Sequence, residues 1–246
     1  MHRPLILISA LAALGPLGAS AQEWSFSVAP YLWAAGQSGT VGVLPGVPPA
    51  DIDLSFGDIL EDLEASVMVV GQARLGRFAI SADLQYIRTT TEGETPGPLY
   101  GATEVRTETF MATLTADYQV SAAPEGELWA SAGLRYWDVD NRLTLAPGTL
   151  PGRVTDGTGR WVDPMIGLRG RYALTDAVEL TGWAYLGGFG VGSDLTTDVF
   201  AGLAYGFSDR ITGTLGWRHL TVDRTDGDFV YDVSQSGPVL GVAFHF

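Results

Sequence analysis

The chain contains no cysteine and no lysine. Without thiols it has no disulfide framework, no thiolate metal site and no acylated cysteine to anchor a lipoprotein. All 14 basic residues are arginine against 28 acids, and the net charge of −14 disfavours nucleic acid, which needs clustered bases. Charged residues make up 17% of the 246 positions, whereas there are 32 glycines and 11% aromatics. This composition is typical of a protein whose outer wall faces lipid.

The first 21 residues have the pattern of an export signal. His2 and Arg3 form a short basic start, an apolar run covers Leu5–Leu14, and Ala19-Ser20-Ala21 is a cleavage site. We predict cleavage after Ala21, which leaves 22–246 as one mature domain. No later run of 18 or more apolar residues exists, so the mature chain has no predicted transmembrane helix. If it enters a membrane, it must do so as a closed barrel, because lipid cannot satisfy open backbone groups.

From Trp24 onward, segments of about ten residues alternate between apolar and polar positions, the period of a β-strand. The segment 109–120 is the cleanest, with Phe110, Leu114 and Tyr118 on its apolar face. The pattern predicts an all-β fold, a transmembrane antiparallel up-and-down β-barrel of about ten strands, with eight or twelve possible. The predicted strands are 24–34, 64–75, 78–90, 104–120, 127–142, 159–174, 178–190, 196–207, 211–224 and 229–246. Segment 39–56 either adds a hairpin or extends the first two strands.

The predicted connections alternate between short and long, as in outer-membrane barrels, where short turns are periplasmic and long loops extracellular. We expect long or polar loops at 35–63, 91–103, 144–158, 190–195 and 224–229. An even strand count would place both termini in the periplasm. Within the first loop, residues 57–63 predict a short helical turn, either on the surface or tucked against the barrel mouth.

Aromatic residues favour membrane insertion, because amphipathic rings prefer the headgroup level at strand ends. We expect two girdles formed by Trp24, Tyr31, Trp33, Tyr86, Tyr118, Tyr136, Trp137, Tyr172, Trp183, Tyr185, Tyr205, Trp217 and Tyr231. The alternative is a soluble lipocalin-like barrel with these rings in its core. The continuous apolar face of every predicted strand disfavours that alternative.

The final strand ends in alternating apolar residues, Leu240, Val242, Phe244 and Phe246. This pattern resembles the signal that the bacterial barrel-assembly machinery reads, which makes that machinery an expected partner during biogenesis. The opening Trp24–Trp33, the segment Asp51–Leu60 and the later Gly76-Arg77-Phe78 also resemble a family of proteobacterial outer-membrane β-barrel proteins of uncharacterised function. The resemblance implies a fold and an outer-membrane location, with outer-membrane lipid and lipopolysaccharide as partners. It implies no activity.

If the apolar faces point to lipid, a set of charged residues points into the lumen. This set comprises Arg74, Asp83, Asp117, Arg135, Asp163, Arg169, Arg171, Glu179 and Arg218. A barrel of this size is narrow and largely filled by side chains. We therefore expect the opposite charges to pair and plug the lumen, since an unpaired buried charge is costly. The alternative is a narrow polar channel for small polar or anionic solutes, biased by its arginines.

Catalysis finds little support in the sequence, and we predict no catalytic residue, no cofactor and no metal site. After signal removal only His219 and His245 remain as histidines. His219 with Asp223 or a nearby serine is the one candidate for a lipid- or peptide-modifying outer-membrane enzyme, but no accompanying motif is present. The acidic turn Asp226-Gly227-Asp228 either holds calcium or is a solvated loop, and it lacks EF-hand spacing. The predicted role is structural, in the envelope, or in surface interaction.

Overall fold

The computed structural model describes residues 23–95 and 97–246, which form a closed antiparallel β-barrel. The predicted signal peptide at 1–21 lies outside the described residues. The elements are β1 (Ser25–Trp33), β2 (Gly36–Gly42), β3 (Ala50–Leu54), α1 (Phe56–Glu61), β4 (Leu63–Leu75), β5 (Phe78–Glu94), β6 (Tyr100–Ala123), β7 (Gly126–Pro147), β8 (Arg153–Ala173), β9 (Val178–Gly188), β10 (Leu195–Ser208), β11 (Ile211–Asp226) and β12 (Phe229–His245). Within this part of the chain, no helix is long and apolar enough to cross a membrane.

Ten strands close the ring, and the β2–β3 hairpin is added to it without widening it. β12 pairs with β1 along its second half, from Val239 to His245, and with β2 along its first half, from Val230 to Ser236. β2 thus continues the line of β1 beyond the break at 34–35. The predicted ten-stranded barrel is confirmed, and segment 39–56 contributes part of a hairpin.

Most strands of the ring are longer than predicted, and most of the expected long loops are wrong. β6, β7 and β8 contain 24, 22 and 21 residues, so most of 91–103 and 144–158 is ladder. Between β11 and β12 only Gly227 and Asp228 remain, with Gly227 at φ 61° in the left-handed region that suits glycine. The sequence signal failed here because polar residues on both faces of a strand that projects into water resemble a loop. We call the end with the β4–β5, β6–β7, β8–β9 and β10–β11 turns the turn end, and the opposite end the loop end.

Side-chain parity divides the wall into an apolar outside and a filled inside. Large apolar side chains with 41–61% of their surface exposed form a band around the barrel: Val28, Leu32, Val67, Ile80, Leu84, Leu114, Leu134, Val162, Ile166, Leu168, Leu186, Val199, Leu203, Leu215 and Leu240. On the alternate positions, charged, hydroxyl and aromatic side chains are buried within the lumen. This is the arrangement expected of a wall surrounded by lipid.

The predicted aromatic girdles are only half right. Trp24, Tyr118, Tyr172, Tyr205 and Trp217 are exposed on the outer surface. Six others lie inside the barrel instead: Tyr31, Trp33, Trp137, Trp183, Tyr185 and Tyr231. Their strand parity matches that of the inward polar residues, so position near a strand end was the wrong criterion. Inside, they build an apolar core in which Trp137 stacks on Trp161 with ring centroids 5.6 Å apart.

The seam between β1 and β4 is paired only at the turn end. Its register runs from Ser25 opposite Arg74 to Pro30 opposite Val69, and ends there. Proline has no backbone N–H to donate, so it suits the end of a ladder. Beyond it, residues 31–33 pair with β12 but not with β4, and residues 63–68 of β4 pair with β5 but not with β1. β1 and β4 are therefore not paired along this stretch of the wall, which we call the β1–β4 opening.

The short helix α1 lies beside this opening and begins with a capping box. The Ser55 hydroxyl accepts from the Asp58 amide at 3.2 Å, and the Asp58 carboxylate accepts from the Ser55 amide at 2.8 Å. Phe56 and Ile59 are half-buried, whereas Leu60 is 52% exposed. The predicted helical turn is confirmed, and it is tucked against the barrel mouth.

The Ser55→Ala variant tests this cap. Hydrogen bonds from Ser55 hold the pKa of Asp58 below its ordinary value, so the capping box is complete at neutral pH, and its carboxylate half is lost as the pH falls through that lowered pKa. In Ser55→Ala we expect about fivefold faster amide exchange in α1, the effect of a lost serine cap. The pKa of Asp58 should rise toward its ordinary value. Ser55→Asn, a good N-cap, should preserve slow exchange, and unchanged exchange in Ser55→Ala would show that the cap does not hold the helix.

Candidate functional site

A cluster of buried charges crosses the lumen, made of Tyr31, Asp83, Arg135, Asp198 and Arg218, which we call the central cluster. Arg218 lies on β11 and donates two hydrogen bonds, of 2.6 and 3.0 Å, to Asp198 of β10. The same guanidinium reaches Asp83 on β5 at 2.9 Å and the Tyr31 hydroxyl on β1 at 3.1 Å. The cluster thereby ties together strands from opposite parts of the ring.

Asp198 is the centre of this cluster because it is shared by two arginines. Arg135 on β7 donates to Asp198 at 2.6 Å and to the Thr113 hydroxyl at 2.8 Å, and the Trp183 indole donates to Asp198 at 3.0 Å. Arg135, Asp198 and Arg218 are each only 1% exposed. Two arginines and two aspartates leave the cluster neutral, and bidentate, charge-assisted bonds offset the cost of desolvating them.

A second set of charges lies nearer the turn end. Glu127 accepts from Arg74 at 3.0 Å and pairs with Arg171 at 3.2 Å, and Arg171 also approaches Glu179 at 3.9 Å. Further in, Arg169 approaches Asp117 at 3.5 Å. The Asp117 carboxylate accepts from Ser81 at 2.6 Å. These turn-end pairs repeat the charge neutrality of the central cluster.

All nine sequence-predicted lumen residues face inward, but they divide into separate groups. The central cluster brings together Asp83, Arg135 and Arg218, and the turn-end pairs bring together Arg74, Asp117, Arg169, Arg171 and Glu179. Asp163 joins no salt bridge among the described residues. It accepts from the Ser193 amide at 2.6 Å and hydroxyl at 2.9 Å instead, and so anchors the β9–β10 connection.

The sequence reasoning missed two acids, Glu127 and Asp198. Each is the acid that two arginines share. The alternation Val199, Leu203 and Tyr205 on the outer face of β10 already places Asp198 inward. That signal was available, and adding Asp198 to the predicted lumen set would have given five acids to match its five arginines.

Between the central cluster and the loop end lies an apolar cavity of about 410 Å³. Its walls come from β4–β7 on one side, from the β2–β3 hairpin with α1 on the other, and from parts of β1 and β12. The apolar lining includes Leu32, Trp33, Val41, Val43, Leu44, Val47, Ile52, Leu54, Phe56, Ile59, Leu63, Met68, Ile87, Val105, Met111, Trp137, Val139 and Tyr231. The polar lining is uncharged and consists mainly of Thr89, Thr91, Thr107, Thr109, Asn141, Gln37, Gln85 and Gln235. The sequence analysis did not predict this cavity.

The candidate catalytic residues are not brought together. His219 is exposed on the outer face of β11, opposite to its neighbour Arg218, which points inward. Asp223 shares that outer face but is four residues along an extended strand, roughly 13 Å away. His245 contacts the Thr212 hydroxyl at 3.1 Å near the turn end. Asp226 pairs with Arg224 at 2.7 Å, and no group of three or more ligating side chains in the described residues could hold a metal ion.

The closed ring, the outer apolar band and the filled lumen define the class: this is the fold of the outer-membrane β-barrels. Among solved structures, the chain is similar to the outer membrane protease OmpT from Escherichia coli, with 11% identity, 94% of this chain and 99% of that chain covered, and a TM-score of 0.59. The transport unit of the autotransporter AIDA-I from Escherichia coli is 9% identical over 95% and 93% of the chains, with a TM-score of 0.43. No protein-family model matches the chain, and no curated protein matches its sequence. At such identity the likeness to OmpT shows the fold alone.

Proposed function

We propose that the chain is an integral outer-membrane β-barrel with a structural, envelope or surface-interaction role, exported by a signal peptide cleaved after Ala21. The observation that carries the proposal is the central cluster. A water-filled pore would wet its polar atoms, yet three of its charged side chains are 1% exposed. The lumen at this level is a plug that braces the wall rather than a conduit.

The outer surface supports insertion into a lipopolysaccharide-containing leaflet. Directly beyond the apolar band toward the loop end, Tyr86 and Tyr136 face outward beside charged neighbours. Arg88 donates to the Tyr86 hydroxyl at 2.8 Å, and Arg160 pairs with Asp138 at 3.0 Å. Rings with charges just above them suit the headgroup level. Lipid headgroups at this rim are therefore the partners we propose, together with the barrel-assembly machinery acting on Leu240, Val242, Phe244 and Phe246 during biogenesis.

The proposal does not include catalysis. An acid–base or nucleophilic site needs a histidine or equivalent base within hydrogen-bond reach of its partners. The two histidines of the described residues lie on different strands, one facing outward midway along β11 and the other at the turn end.

Planar-bilayer recording tests the plugged lumen. We expect the refolded protein to give no single-channel steps, because the buried ion pairs of the central cluster close the barrel. A boiling-dependent shift in gel mobility is the control that the sample is a folded barrel. Regular conductance steps with anion selectivity from such a sample would contradict the plugged lumen and support the alternative, a narrow channel for anionic solutes.

A further inference from the structure

The cavity above the central cluster has the properties of a binding site for an apolar ligand. Its volume of about 410 Å³ lies within the range of about 300–1,000 Å³ that is common for ligand sites. No arginine, aspartate, glutamate or histidine contributes to its lining. A charged ligand would therefore lose its hydration without gaining a partner, which excludes charged groups from the interior.

The lining also shows where a ligand enters. Leu32 lines the cavity although its side chain belongs to the outer apolar band and is 48% exposed. Leu63, Ser66 and Met68 line it from β4, on the other side of the β1–β4 opening, and Ile59 of α1 lines it as well. The cavity thus reaches the outer face of the wall where β1 and β4 are unpaired, at the edge of the lipid-facing band.

We propose that this cavity binds one linear hydrocarbon chain, the acyl chain of a fatty acid or of a membrane lipid, which enters sideways through the β1–β4 opening. The inference rests on the proposed membrane location, because lipid must adjoin the opening. The bound acyl chain lies against Trp33, Met68, Ile87, Met111 and Trp137 inside the barrel. Its charged headgroup stays outside, since the lining offers no countercharge.

Fluorescence quenching by 12-bromododecanoic acid tests the site, because bromine quenches nearby indoles and Trp33 and Trp137 line the cavity. The protein carries Trp24→Phe and Trp217→Phe, which removes the two tryptophans that are 53% and 56% exposed on the outer surface. We expect saturable quenching with one site per chain. Ile87→Phe, which fills the cavity, should weaken binding at least about tenfold. Ile80→Phe makes the same change on the outer face of the same strand and should leave binding unchanged.

The entry route is tested by clamping the opening. If the β1–β4 register continued past Pro30 and Val69, Leu32 would face Val67, and both side chains are exposed on the outer face. The chain has no cysteine, so a short bismaleimide reacts only at Leu32→Cys and Val67→Cys. We expect the cross-linked double variant to take up the probe at least about tenfold more slowly than the same variant treated with a monofunctional maleimide.

Each outcome bears on a separate part of the inference. Absence of saturable quenching, or equal quenching in Ile87→Phe and Ile80→Phe, overturns the site. Undiminished uptake after cross-linking overturns the sideways route. Vesicles of dibrominated phosphatidylcholine provide a second experiment that identifies the source of the acyl chain. Quenching of the inner tryptophans in these vesicles supports a membrane lipid as the ligand. Quenching by the free acid only supports a fatty acid as the ligand. Every sample must first show the boiling-dependent gel shift, and a sample without it contradicts the proposed function instead.

Discussion

The Asp198→Ala variant is expected to lose about 3–5 kcal/mol of unfolding free energy, because it leaves buried arginines without their shared carboxylate. Arg135 loses its 2.6 Å ion pair, and Arg218 keeps Asp83 as its one remaining carboxylate partner among the described residues. Urea unfolding of the refolded protein in phospholipid vesicles, followed by gel mobility, measures the loss. With so large a fraction of a typical stability removed, the variant should also fold in lower yield.

Two comparisons show whether the buried charge causes this loss. The double variant Asp198→Ala, Arg135→Met removes one orphaned guanidinium and should recover part of the stability, because an apolar side chain of similar size needs no partner there. Asp138→Ala breaks the pair with Arg160 on the outer face, where Arg160 is 59% exposed, and should cost far less since water screens it. Equal losses in Asp138→Ala and Asp198→Ala would mean that the central cluster contributes no more to the free energy of unfolding than an exposed ion pair does.

The Trp137→Ala variant is expected to cost about 3–5 kcal/mol, the range for deleting a fully packed large aromatic side chain. Trp137 is 1% exposed, and its ring contacts both Trp161 and Tyr231, with the Tyr231 centroid 6.3 Å away. Removing it would join its volume to the apolar cavity and unstack Trp161. The same vesicle-based urea unfolding measures the effect.

Trp137→Phe is the matched control for the aromatic packing. The Trp137 indole N–H is buried and has no hydrogen-bond partner among the described residues, so phenylalanine removes an unsatisfied donor while keeping a ring in place. We expect Trp137→Phe to lose much less stability than Trp137→Ala. If alanine cost under about 1 kcal/mol, the inner aromatic residues would be loosely packed filling rather than a core.

Strand number and side-chain parity could be predicted because they depend on local alternation. Segments such as 109–120 show a clear period of two, and that period places Asp117 inside and Leu114 outside. The same rule would have placed Trp33 and Trp137 inside, where the structure has them, had it been applied to aromatics as strictly as to charges.

The cavity and the β1–β4 opening could not be predicted, because they depend on pairings between distant residues. The alternation of β1 continues through Leu32, and although Pro30 suits the end of a ladder, it does not show which neighbouring strand stops pairing there. Partner choice within the central cluster is similarly non-local, since Asp83 and Arg218 are 135 residues apart. Alternation assigned the face of each residue, whereas strand stagger around the ring decided which residues meet.

The unequal strand lengths give the barrel a front and a back. A tilted strand needs about 9–11 residues to cross a membrane, so β9, with 11, ends near the membrane surface. β6–β8 continue for roughly another ten residues and form a curved sheet that extends beyond the membrane beside the barrel mouth. A macromolecule approaching the loop end therefore meets the long strands β6–β8 on one side and the shorter strands β9 and β10 on the other, so its access is directional.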